Sequence, residues 1–377
     1  MSKFYTREIN RHNTVYKIFN IPILKLKNDE SKAAAIVQNS FDLAQIKKSE
    51  NLIIFFIPPT TEVIGGVMSI YSICEHSRKI NSDYSCVIAT LPGKRTIAFN
   101  DNFKNNEKIY RFEQITHNAT NAKHVIIHIP EYFSKIFYKN LDRYEKQFLK
   151  NIPDLQINIL NQNTKNMPDD ISDLFKITDN ITQTIAHNRY ANQEYCNKFG
   201  IPLHYISVDI NLKNYKKYSF EEKEKIILYS KDENLYKQNV LIKLKENFPN
   251  WQFIQIDNMT FSQYMDIVAK SYFIISFGEG MDGYFIQPAY VGTIGISVYN
   301  NNYFPDESWK TLKNVYVSYD EMINCICKDL HKAAKDEDLY YDIINKQRGM
   351  LDKIYNYDNF IENLTRFYNK DYDWRAN

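Results

Sequence analysis

The 377-residue chain has no apolar run approaching the roughly twenty residues that a bilayer-spanning helix needs. Nor does it carry a charge imbalance. With 47 basic and 45 acidic residues its formal net charge is +2, so there is no global basic field and nucleic acid is not an expected partner. Cysteine is scarce: five residues, at 74, 86, 196, 325 and 327. Cys325-x-Cys327 has the wrong spacing for a zinc pair and no second pair exists, so the thiols read as reduced and cytoplasmic. Asp169-Asp170 has no companion ligands around it, and no metal site is expected. The first residues (Tyr5, Arg7, Glu8, Arg11, His12) are polar and lack a signal-peptide core. There is no internal repeat and no low-complexity linker. Glycine is also rare, ten residues in all, which gives weight to the places where glycines gather.

They gather at 278, 280 and 283. Tyr272-Phe273-Ile274-Ile275 has strand character, the three glycines punctuate a turn, and a short helical piece leads to a second strand, Ile294 to Val298. Glycines let backbone amides approach a ligand closely, and a helix start favours negative charge. The literal Gly278-x-Gly280-x-x-Gly283 matches the dinucleotide fingerprint. Against that, most of the chain precedes it and the following helix is short and carries Pro288. No acidic residue ends the strand Ile296-Ser297-Val298-Tyr299-Asn300.

Elsewhere, strands and helices alternate, which predicts α/β architecture with doubly wound parallel sheets. Leu52 to Ile57 and Val125 to Ile129 are continuous apolar runs suited to buried parallel strands. After the first come Gly65-Gly66 and a helix with Val67, Ile70, Tyr71 and Cys74 on one side; a plain tight turn accounts for the two glycines equally well. The second run ends His128-Ile129-Pro130, and a histidine there can be simply structural. Ile157 to Leu160 runs into Asn161-Gln162-Asn163, three amides able to bond sugar hydroxyls. A helix over roughly 189–199 stops at Gly200, followed by the strand His204 to Val208. Lys225 to Lys231 opens a second domain, with helices expected over 237–247 and 261–270 and a strand over 251–256. Residues 16–27 mix apolar and basic side chains; an edge strand or hairpin explains them, and so does contact with an anionic membrane surface. The C-terminal residues recur at helical spacing with a break near Tyr357-Asp358.

Read as Glu279-Gly280-x-x-Gly283-x-x-x-Gln287-x-x-x-x-Gly292-Thr293, the glycine segment resembles the nucleotide-sugar site of GT-B glycosyltransferases of the glycogen synthase and sucrose synthase kind. Their pattern sets two glutamates seven residues apart, then a Gly-Thr-Pro turn. Here the second glutamate is Gln287 and the proline is Ile294. The Gly65-Gly66 loop and the His-x-Pro strand end at His128 resemble further parts of that family.

The resemblance implies the GT-B fold: a Rossmann-like acceptor-side domain over 1–208, a linker over 209–223 and a nucleotide-sugar-binding domain over 224–358. A terminal helix over 359–377 would pack back on the first domain, and a cleft would lie between the two. It implies a hexosyltransferase-like, metal-independent glycosyltransferase with no cofactor beyond its nucleotide-diphosphate sugar donor. The implied donor-binding residues are Gly65, Gly66, Lys231, Lys237, Gly280, Asp282, Gly283, Tyr284 and Gln287. Glu279 would hold the donor sugar, and His128 would lie near the transferred sugar. It also implies a retaining mechanism, which Gln287 leaves open to an inverting one. The acceptor would be a saccharide or lipid-linked saccharide. The Lys-, Asn- and Ile-rich composition points to an AT-rich bacterial genome, where such enzymes build capsule, surface polysaccharide or lipopolysaccharide. The expected location is the cytoplasm, with the inner membrane face as the surface that residues 16–27 would touch. A nucleotide-sugar epimerase and a non-catalytic sugar-binding protein of the same fold are the alternatives.

Overall fold

The computed structural model describes residues 5–9, 13–19, 21–27, 43–59, 65–93, 107–210, 212, 215–257 and 259–376. They form two compact units, Met1–Thr184 and Ile185–Asn377.

The first unit opens with an antiparallel sheet of β1 (Tyr5–Ile9), β2 (Asn13–Ile18) and β3 (Ile21–Lys27), in that order. The expected hairpin over 16–27 is therefore present. The main sheet is built from β4 (Asn51–Ile57), β5 (Ser85–Thr90), β6 (Ile109–Arg111), β7 (His124–Pro130), β8 (Asp154–Asn161) and β9 (Ile181–Ile185), at whose end the chain passes into the second unit. Their spatial order is β9-β8-β7-β4-β5-β6, and the pairs from β6 through β8 are parallel. This is Rossmann order, reversing between β4 and β7. Leu52 to Ile57 are all buried because helices cover both faces of such a sheet. The helix Gly65–Ile80 turns Val67, Ile70, Tyr71 and Cys74 inward, as its spacing predicts.

In the second unit the helix Gln193–Phe199 is capped by Asn192 and ends at Gly200, whose φ of 65° is the left-handed C-cap expected of it. β10 (Leu203–Tyr205) follows. The sheet consists of β11 (Glu224–Tyr229), β12 (Gln252–Gln255), β13 (Ser271–Ile275), β14 (Ile294–Val298) and β15 (Val315–Tyr316), in the order β12-β11-β13-β14-β15. All pairs are parallel, and the order reverses between β11 and β13. Its flanking helices include Lys237–Asn247 and Phe261–Lys270, the spans the sequence predicts. Val240, Leu241, Leu244 and Phe248 pack on one face with Phe273 and Ile296; Met265, Val268 and Ile274 pack on the other. Trp309 is wholly buried among Phe285 and Phe304, a core residue. The chain closes with the helices Glu337–Leu351 and Tyr357–Tyr368, parted near the expected break. Trp374 then bridges to Leu203. Among the described residues no helix is long and apolar enough to cross a membrane.

Candidate nucleotide-sugar site

In open α/β sheets ligands settle outside the carboxyl ends of the strands, where the strand order reverses. In the second unit that place is bounded by the exits of β11 and β13. The two exits are stitched together. Ser230 donates its backbone N–H to Ile275 O at 3.0 Å, and its hydroxyl accepts from Phe277 N at 3.0 Å. Beyond β13 the chain makes the glycine turn.

Each glycine there has a separate reason. A Cβ on Gly278 would lie 2.8 Å from Asp232 Oδ2 and 3.2 Å from Asp282 Oδ2, so two carboxylates flank this exposed position. Gly280 has a φ of 92°, and a Cβ would meet Val298 O at 2.7 Å. Gly283 starts the helix Gly283–Tyr290, and the Gln287 amide folds back to within 3.3–3.5 Å of where its Cβ would stand. Gln287 thus reaches toward the turn, while Glu279 is partly exposed upon it.

Asp282 is the N-cap of that helix. Its Oδ1 accepts from Tyr284 N at 2.9 Å and Phe285 N at 3.2 Å, and Ser276 Oγ donates to Oδ2 at 2.5 Å. The helix start does gather negative charge, but that charge is the protein's own carboxylate, a change from the sequence reading of an open anion site. Burial pushes the Asp282 carboxyl up to about 6, with the Asp232 and Glu279 charges adding to the effect. The Tyr284 hydroxyl is pushed up to about 12, by burial first and then by Asp232.

The two lysines expected on the donor phosphates part company. Lys237 is buried; its ammonium donates to Lys231 O at 3.2 Å and Asp232 O at 2.9 Å. It therefore holds the β11 exit loop in shape. Lys231 is half exposed, with its Nζ 3.9 Å from Asp257 Oδ1. Tyr236 stacks on Tyr319 at 5.0 Å, and Tyr319 lies parallel to Phe277 at 6.5 Å, forming an aromatic rim. Gly292 and Thr293 fall at the opposite end of β14. There the Thr293 hydroxyl accepts from buried Lys223 at 2.8 Å and sits 2.7 Å from Val268 O. Burial lowers Lys223 to about 7.

The corresponding edge of the first unit holds Gly66, Glu131 and the amide run. A Cβ on Gly66 would stand 2.9 Å from Gln162 Oε1, whereas one on Gly65 would meet nothing. Buried Glu131 accepts backbone N–H groups from Gln162 at 3.3 Å and Asn163 at 3.0 Å, which fixes the β8 exit against the end of β7. Burial raises its pKa. Asn161 turns inward and donates to Gln183 at 3.3 Å, so of the three amides only Gln162 and Asn163 are partly exposed.

His128 does not reach that edge. It pairs in register with Phe55 and Asn158 inside the sheet and has no exposed surface. Its ring stacks on Phe55 at 4.3 Å, and it meets Asn158 Nδ2 at 3.1 Å. Because that amide nitrogen donates, Nδ1 must accept and the proton sits on Nε2. Burial lowers the pKa to about 3, so the ring is neutral. The catalytic role expected of His128 has no physical footing in this placement.

Asp232, Ser276, Tyr319 and Glu131 escaped the sequence reading. The signal for them is strand order: they stand just past strand ends or on the loops facing them. Among the described residues no group of three His, Cys, Asp or Glu side chains could hold a metal. The literal Asp371-x-Asp373 is engaged with Arg366 at 2.8 Å from each carboxylate, and Asp373 also with His204 at 2.8 Å.

No protein-family model matches this chain, and no curated protein sequence does either. Among solved structures it is similar to sucrose-phosphate synthase from Thermosynechococcus elongatus, with a TM-score of 0.52 at 11% identity over 85% of this chain and 98% of that one. It is also similar to the S. aureus MnaA–UDP co-structure, with a TM-score of 0.47 at 10% identity over 83% and 98% of the two chains. At such identity the first likeness establishes the fold, two Rossmann-like α/β units.

Proposed function

We propose that this protein binds a nucleotide-diphosphate sugar and transfers the sugar to a hydroxyl of a saccharide acceptor. The observation that supports this reading most is the Gly278–Gly283 turn. It lies at the carboxyl edge of the second unit, where strand order reverses, with Glu279 on the turn and the Gln287 amide folded toward it. In this reading Glu279 holds donor-sugar hydroxyls, Gln287 and Tyr284 meet the ribose side, and Lys231 with the amides near Gly280 faces the diphosphate. Charge-assisted bonds from Glu279 strengthen as the sugar becomes cationic, which is where transfer gains its rate.

A second reading keeps the donor and changes the chemistry. Asp282, pushed to about 6, carries a proton part of the time near neutrality, beside the Asp232 carboxylate. Such a pair suits proton shuttling on a bound sugar, as an epimerase requires.

The test is thermal stabilisation by a panel of nucleoside diphosphates in excess EDTA. A ligand at a hundred times its dissociation constant adds about 2.7 kcal/mol. If none stabilises the protein, or binding returns only with magnesium or manganese, the reading fails. Glu279→Gln should then keep the nucleotide and lose transfer by orders of magnitude. Turnover of the nucleotide sugar without any acceptor selects the second reading.

A further inference from the structure

The β2–β3 hairpin displays at its tip what a soluble domain ordinarily hides. Phe19 is 58% exposed, Ile21 66% and Ile23 56%. Phe19 makes the turn with a φ of 47°, and Ile18 pairs with Ile21 directly behind it. A positive φ at a tight hairpin turn is the place for glycine or asparagine; an aromatic side chain there is strained. Strain retained at an exposed apolar position points to a use for that side chain. The register slips between Tyr16 and Lys17, so Ile23 is the extra residue of a bulge that re-aims the edge strand.

Along β2 and β3 the charged residues have one sign. Residues 13–27 contain Lys17, Lys25 and Lys27 and no acidic residue. Lys25 and Lys27 are exposed along β3, and Lys17 is partly so. An apolar tip backed by cations matches the layered chemistry of an anionic bilayer: acyl boundary first, then phosphate headgroups.

We propose that this hairpin is a membrane-surface anchor. Phe19, Ile21 and Ile23 enter the headgroup boundary of an anionic bilayer, and Lys17, Lys25 and Lys27 pair with its phosphates. The proposal stands apart from the nucleotide-sugar reading, since none of these residues belongs to that site. It predicts reversible binding, because one short hairpin buries little area.

The experiment is co-sedimentation of the full chain with vesicles of phosphatidylcholine alone and of phosphatidylcholine with phosphatidylglycerol. The wild type should sediment with the mixed vesicles, less so as salt rises, and not with the neutral ones. Phe19→Asn separates folding from binding: it relieves the strained turn, so the melting temperature should hold or rise, while vesicle affinity falls roughly tenfold. Joint replacement of Lys17, Lys25 and Lys27 by Gln should lower it by about a hundredfold, since each basic residue at an anionic surface contributes about fivefold. Equal binding to neutral vesicles, no binding at all, or unchanged binding by Phe19→Asn overturns the anchor. So does a melting temperature that drops in Phe19→Asn. A dimer in light scattering that dissolves in that variant would instead make a second copy the occupant, and also overturns it.

Discussion

Ser276 donates a hydrogen bond from its hydroxyl to Asp282 at 2.5 Å, and the same carboxylate caps the helix that begins at Gly283. One side chain thus fixes the turn and fills the helix start with negative charge. Asparagine caps about as well as aspartate, whereas alanine does not. Asp282→Asn should therefore keep the fold and, with one charge gone beside Gly278, bind a nucleoside diphosphate more tightly at neutral pH. Asp282→Ala should lose about 1 kcal/mol of stability. The pKa of about 6 lies above that of an unfolded aspartate, so the native state binds the extra proton and stability falls as pH rises from about 4 to about 6. The advantage of Asp282→Asn should grow over the same window. Urea unfolding at several pH values together with calorimetric titration reads both effects.

The glycines of the turn should not be equivalent. An alanine at 280 would need a φ of 92° and would press on Val298 O at 2.7 Å, a backbone atom that cannot yield. Gly280→Ala should cost about 2 kcal/mol or more. At 283 the neighbour is the flexible end of Gln287, so Gly283→Ala should fold with near-normal stability. It would displace the Gln287 amide, and its effect should appear in nucleotide affinity. Equal melting temperatures for the two variants would contradict this account.

Local pattern carried the sequence reading far, and stopped where contacts become nonlocal. The helices 237–247 and 261–270 were legible from their apolar spacing, and in the second Thr260 and Gln263 add a full capping box. His128 was not, because a strand buried on both faces has no polar alternation to tell an outward position from an inward one. Asp232 and Gly278 stand 46 positions apart in the chain, and only the order β12-β11-β13 sets them side by side. Lys237 has the sequence appearance of a phosphate ligand at a helix start; its long stem instead turns inward to two carbonyls.

His128 makes acid the test of its role. Its pKa of about 3 lies below the unfolded value of about 6.5, so the neutral ring contributes stability that is present above 6.5 and lost as pH falls toward 3. The loss should approach about 1.4 kcal/mol per pH unit within that window. Phe in its place keeps the stack on Phe55 but leaves Asn158 without that acceptor, at a cost of about 1 kcal/mol at pH 8. His128→Phe should therefore be less stable than the wild type at pH 8 and lose less on acidification. Parallel curves between pH 8 and 5.5 would mean that the histidine is not held neutral in the core.

Lys231 and Lys237 offer the sharpest separation of shape from binding, because they are six residues apart and differ in where their charge goes. Removing the Lys237 ammonium leaves Lys231 O and Asp232 O without their donor in a part-buried loop, so Lys237→Met should destabilise by about 1–3 kcal/mol. Lys231 is half exposed and sits 3.9 Å from a similarly exposed Asp257, a geometry worth little to the fold. Lys231→Met should leave the melting temperature within about a degree. Its cost should fall on nucleoside diphosphate affinity, with a shallower dependence on salt, as expected when an exposed cation faces a phosphate. Thermal melts of both variants, with and without the nucleotide, decide the matter. If Lys231→Met binds as the wild type does, the diphosphate does not lie over the β11 exit, and the donor must approach the glycine turn from another side.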